Sequence, residues 1–154
     1  RDNVTGLIWE VKVDDIAHLR HSAHTYTWYN TDAAINGGNA GSANGGACAG
    51  SDCDTQAFVQ AVNALTENDR LCGASDWRMP TDVELQSIVH YGRSSPAIDT
   101  AYFPNTLSGS GFWSASPRAD DSSSAWGIGF TSGAVSSYLK SSDGIAIRLV
   151  RSGQ

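Results

Sequence analysis

Between residues 125 and 130 the chain alternates without a break: Trp126, Ile128 and Phe130 take one parity, Ala125, Gly127 and Gly129 the other. A period of two is the mark of an extended strand whose two faces differ. Residues 131–133 then supply a turn, 134–140 a return strand and 141–144 another turn, and Ile145, Ile147 and Leu149 alternate once more. With a short strand over 112–116 before them, all residues after Pro96 read as short antiparallel strands and loops. On this reading Trp126, Ile128 and Phe130 hold the sheet to a core, while Gly127 and Gly129 face outward.

The first half adds one strand and two helices. Residues 4–13 read as a strand with Leu7 and Trp9 on one face, and 36–52 as a long Gly/Ala/Ser/Asn-rich loop tied down by cysteines. Asp54 is a good N-cap, followed by Phe58, Ala61, Val62 and Leu65 on one helical stripe that ends near Asn68. Thr81 and Glu84 form a capping box, with Leu85, Ile88 and Val89 as the buried face and Gly92 as the stop. Strand, two helices, then a run of strands with no βαβ unit is an α+β order, two helices packed on short antiparallel strands.

The 154 residues suffice for one domain, 1–154. A net charge of -6 argues against a nucleic-acid partner, which needs a basic face. The acidity is uneven: residues 110–154 hold four basic side chains (Arg118, Lys140, Arg148, Arg151) against three acidic ones (Asp120, Asp121, Asp143). No apolar run reaches the roughly 18–20 residues of a membrane span. The chain begins at Arg1 inside apparent strand sequence, so it is read as the C-terminal part of a longer exported protein, attached to a membrane only through a preceding anchor. Cys48, Cys53 and Cys72 fit one disulfide and one thiol, the pairing open, and point to an oxidising compartment.

Catalytic and metal chemistry find little support. His18, His21 and His24 drift around a helix axis and bring no fourth ligand, so they are expected to be solvent-facing loop residues, and no metal or cofactor is expected. There is no Gly-x-Ser-x-Gly elbow, His90 reads as a surface residue, and the acids Asp54, Asp82 and Glu84 sit at caps. The loop glycines lack the Lys-Ser/Thr ending of a phosphate loop. The chain is therefore not expected to be an enzyme. Trp9, Trp77, Trp113 and Trp126 lie in apolar contexts; Trp28 fits core or a sugar-stacking platform, with core the commoner state.

Several blocks, VTGLIW (4–9), CGASDWRMPTDVELQSIVHYGR (72–93), AIDTAYFPNT (97–106), FWSAS (112–116), Ala125-Trp126 and IRLVR (147–151), together resemble the Lcl C-terminal domain family, named for the Legionella collagen-like adhesin. The resemblance implies a C-type-lectin-like fold of the formylglycine-generating-enzyme type, with the first and last strands paired. It also implies an extracellular place on a bacterial cell surface and glycan binding as one use. Leu149 stands where relatives often carry a cysteine, so the family's usual disulfide to the first helix is not available. The calcium-dependent sugar motifs and the catalytic cysteines of more distant relatives are also missing.

The tail carries a sharper expectation. Residues 108–154 hold 13 of the 20 serines and no asparagine. Frame residues (Trp113, Ser114, Ser116, Ala125, Trp126, Phe130, Arg148, Val150) are interrupted by residue types reachable from an Asn codon through adenine changes. This resembles the variable proteins of diversity-generating retroelements. The expected ligand-binding positions are Arg118, Asp120, Asp121, Ser123, Gly127, Gly129, Thr131, Ser132, Ala134, Ser136, Ser137, Leu139, Ser141, Ser142 and Asp143, within a solvent-exposed region of about 112–148. The partner is a protein or glycan on another cell or surface. A fixed-specificity glycan-binding adhesin domain is the alternative, and the oligomeric state is open.

Overall fold

The computed structural model describes residues 1–153. It is α+β, with short helices and antiparallel strands. β1 (Leu7–Trp9) pairs antiparallel with β5 (Val150–Ser152), so the two ends of the chain meet as the resemblance implies. The second sheet, β2 (Gly111–Pro117), β3 (Ser124–Gly129) and β4 (Ala134–Leu139), is an antiparallel meander in the order β2-β3-β4. The first strand is much shorter than residues 4–13: regular pairing ends at Trp9, and the Glu10 carboxylate turns inward to accept the Leu149 N–H.

Both helix starts follow their sequence signals, and both helices stop early. α1 (Thr55–Asn63) is capped by Asp54, whose side chain accepts from the Ala57 N–H at 2.8 Å. It ends at Asn63, whose amide clamps the Trp77 backbone through its N–H and C=O at 2.9 and 2.8 Å. α2 (Asp82–Gln86) opens with the full Thr81/Glu84 box, and the Glu84 carboxylate also takes both ends of the Arg78 guanidinium at 2.8 and 2.6 Å. It stops at Ser87, well before Gly92. The Ser87 hydroxyl captures the Glu84 carbonyl at 2.6 Å and competes with helix propagation.

Two apolar clusters make the core. One gathers Tyr26, Trp28, Phe58, Val62, Trp77, Trp113, Ala125, Ile147 and Leu149; the other gathers Trp9, Leu85, Ile98, Phe112, Ile128, Phe130, Ala146 and Val150. Residues 145–150 run between them, sending Ile145, Ile147 and Leu149 to one side and Ala146 and Val150 to the other. The closing strand expected over 145–149 is instead a buried segment with isolated bridges at Ile145 and Ala146, and regular pairing begins only at Val150. Trp28 is core, 1% exposed, with its indole N–H donating to the Ser114 carbonyl at 2.9 Å. The Trp113 indole likewise donates to the Tyr26 carbonyl at 2.8 Å.

Candidate ligand-binding face

The three-stranded sheet presents its expected site residues at two opposite ends. At one end lie the β2–β3 turn, with Arg118, Asp120, Asp121 and Ser123, the last β4 residue, Leu139, and the segment after it, with Ser141, Ser142 and Asp143. At the other end the β3–β4 turn carries Thr131 and Ser132, with Gly129 and Ala134 at its base. Six residues of β4 at about 3.4 Å each separate the two ends by about 20 Å. The structure does not bring all fifteen positions onto one patch.

The first end is held stiffly. Asp121 accepts the Ser123 N–H and hydroxyl at 3.0 and 2.6 Å and the Ser124 hydroxyl at 2.7 Å. These bonds hold its carboxyl far below the usual range, at about 2. Arg118 makes a two-point ion pair with Asp120 at 2.6 and 2.8 Å, donates to the Ser137 hydroxyl at 3.3 Å, and lies over the Trp126 ring at 5.7 Å. Lys140 is the deeper anchor. Its ammonium is buried over the Trp28 ring at 4.3 Å and donates to the carbonyls of Asn36 and Asn39 at 2.8 and 2.7 Å. That pins the 36–41 loop to this end of the sheet, where Gly41 at φ +87° packs so close that a Cβ would meet the Trp28 carbonyl. The loop's membership of this face was not legible in the sequence, because a lysine among serines carries no signal of burial.

Exposure sorts the expected residues. Asp120, Ser123, Thr131, Ser132, Ala134, Leu139, Ser141 and Asp143 are exposed; Arg118, Asp121, Gly129, Ser136, Ser137 and Ser142 are half-buried. Gly127 is buried, which corrects the expectation that it faces outward and varies freely. The Tyr138 ring of β4 covers it: a Cβ on Gly127 would lie 3.0 Å from Tyr138 Cε2 and 2.5 Å from the Phe112 carbonyl oxygen. Gly111 and Gly127 form a bed for that ring, which meets Trp113 edge-on at 5.7 Å. Trp126, expected in the core, is half-buried: it lies outside both apolar clusters, under the Arg118 guanidinium.

The histidines also depart from expectation. His21 and His24 are buried rather than solvent-facing, and the His24 ring nitrogens sit 3.3 and 3.2 Å from the Leu19 and Ile16 carbonyls. They knit the 16–24 loop, while His90 is exposed as expected. Among the described residues no group of three or more His, Cys, Asp or Glu side chains is placed to hold a metal ion, and no helix is long and apolar enough to cross a membrane. Cys48 and Cys53 form the disulfide, and Cys72 is a free, exposed thiol.

None of the fifteen positions lines either of two cavities. One of about 560 Å³ is bounded by the 28–35 segment, α1 and Ala115; the other, of about 440 Å³, lies by Trp9 and Tyr102. The family model of the Lcl C-terminal domain matches residues 1–151. The chain belongs to the Lcl C-terminal domain family. No curated protein and no solved structure matches the sequence. In this Lcl C-terminal domain the Thr81/Glu84 box and the Trp113 anchor fall inside the matched span, as do the paired terminal strands up to Arg151.

Proposed function

We propose that this Lcl C-terminal domain is a non-enzymatic, surface-displayed ligand-binding domain of C-type-lectin-like architecture. Its binding face is the sheet end built by residues 118–123, 139–143 and the 36–41 loop. The observation that carries this is the Lys140 clamp, which fixes a loop from the first half of the chain against exposed turn residues of the second. A face whose backbone is already ordered binds without the entropy of ordering it. The Cys48–Cys53 bond fits an oxidising, extracellular setting.

Charge narrows the ligand. Arg118 is neutralised by Asp120 and the Lys140 ammonium is buried beneath the loop, while the Asp143 side chain lies on the exposed turn. A sulfated polymer finds no uncommitted cation at this end, so a neutral glycan or a protein surface suits it better. The serine-rich exposed turns also support sequence diversification, now restricted to positions off the glycine bed. A nearby partial gene copy differing only at adenines would establish that history.

The test is a glycan array and a cell-surface protein screen with the 154-residue chain, followed by substitutions on each hit. Binding lost in S141R and D143R, and kept in T131R and S132R, supports the proposed end. The reverse pattern moves the face to the opposite turn and overturns the assignment.

A further inference from the structure

β4 is an edge strand, because the order β2-β3-β4 leaves its far side without a neighbour. Its register with β3 is unbroken over all six residues. The ladder extends past one end, with the Lys140 N–H donating to the Ser123 carbonyl at 2.8 Å, and the Gly133 N–H closes the turn at the other on the Gly129 carbonyl at 2.9 Å. Backbone groups in an antiparallel ladder alternate sides. Ala134, Ser136 and Tyr138 therefore bond to β3, and Val135, Ser137 and Leu139 aim their N–H and C=O groups off the sheet. Among the described residues the Leu139 carbonyl alone of these outward groups has a partner, the Ser142 N–H at 2.8 Å.

Sheet edges are ordinarily guarded by charges, prolines or bulges. β4 reads AVSSYL and has none of them. Val135 is 42% exposed and Leu139 55%, both on the same face with Ser137 between them.

We infer that this edge pairs with β4 of a second copy of the chain, antiparallel about a two-fold axis through Ser137. That register sets Val135 of each copy opposite Leu139 of the other, and Ser137 opposite Ser137. In each Val135–Leu139 pair the free Leu139 N–H meets the free Val135 carbonyl, the Val135 N–H shares the Leu139 carbonyl with the Ser142 N–H, and the side chains close an apolar contact. An axis through Val135 or Leu139 instead leaves half the strand unpaired. No like charges meet: β4 is uncharged, and Arg118, nearest the axis through Ser137, brings its own Asp120 carboxylate. An unrelated peptide satisfies the backbone equally, but the second copy also supplies matched side chains at the required spacing. The joined sheet sets the 131–133 turn of one copy beside the 139–143 segment of the other. Serine-rich positions that one chain holds about 20 Å apart then become neighbours.

Sedimentation equilibrium of the 154-residue chain, from about 10 µM to about 1 mM, reads the association. The expected result is a monomer–dimer equilibrium. V135K and L139E each weaken it about tenfold or more. The V135K/L139E double variant restores it, because the register sets each new lysine opposite a new glutamate. S137P removes one outward N–H, leaves the β3 ladder intact and weakens association in the same way. Near-UV circular dichroism confirms the fold of each variant. A chain that stays monomeric throughout, or a dimer indifferent to V135K and L139E, overturns the inference.

Discussion

Arg148 donates to the backbone carbonyl of Glu10 at 2.8 Å, and both residues are fully buried. The guanidinium reaches the Thr106 hydroxyl at 2.7 Å with its other end and lies between the Phe103 and Phe112 rings, at 4.9 and 5.6 Å. The Glu10 carboxylate in turn holds Lys12 at 3.2 Å and the Leu149 N–H at 2.9 Å. Burial pushes the Arg148 guanidinium down to about 10 and lowers Lys12 as well, with Glu10 opposing both shifts. This network binds the segment after β1 to the segment before β5.

Removing the guanidinium leaves Glu10 and Thr106 with lost partners inside the protein. R148M is expected to lower unfolding free energy by about 3 kcal/mol, the scale of buried hydrogen bonds to a charged group lost with their partners left unsatisfied. R148K keeps the charge, loses the two-ended reach and falls between. Urea titrations of the two variants check the order, and a neutral R148M removes the network from the account of stability.

The glycine bed makes a paired prediction. G127A drives a methyl against the Phe112 carbonyl and the Tyr138 ring and is expected to cost about 1–3 kcal/mol. G129A meets nothing nearer than 3.9 Å and is expected to change stability by less than about 0.5 kcal/mol. Equal effects from the two substitutions contradict the packing of Tyr138.

The Cys48–Cys53 bond closes a short loop just before the α1 cap. Chain-entropy reasoning for so small a loop gives about 2 kcal/mol of stabilisation. Calorimetry with and without reductant reads it as a lower Tm. Under native, non-reducing conditions a thiol reagent is expected to label one site, Cys72.

Acid should loosen the β2–β3 turn through Asp121. Its folded carboxyl is held at about 2 by the Ser123 and Ser124 bonds, below the unfolded value of about 4. A depressed carboxylate contributes stability that is present above the unfolded value and lost as pH falls through the folded one. Tm is therefore expected to fall between about pH 4 and pH 2, and D121N to flatten that part of the curve. An unchanged slope in D121N assigns the acid sensitivity to another lowered carboxylate, such as Glu84 beside Arg78.

Sequence by itself determined the local features. Asp54 and Thr81/Glu84 fixed both helix starts, because a cap is a contact between residues three apart. Alternation fixed β3, and the turn residues fixed the β3–β4 hairpin. The α+β order followed from these, and the blocks from VTGLIW to IRLVR carried the family. Tertiary structure alone decided which faces are covered. A period of two separates Gly127 from Ile128 but does not say that a ring from the next strand will lie on the glycine. Nor does it say that Lys140 and Arg148 will be buried, since their carbonyl partners come from the 36–39 loop and from Glu10, about a hundred or more residues away. Burial of a charge depends on partners brought by the chain's long-range path, and that path is a property of the packed whole.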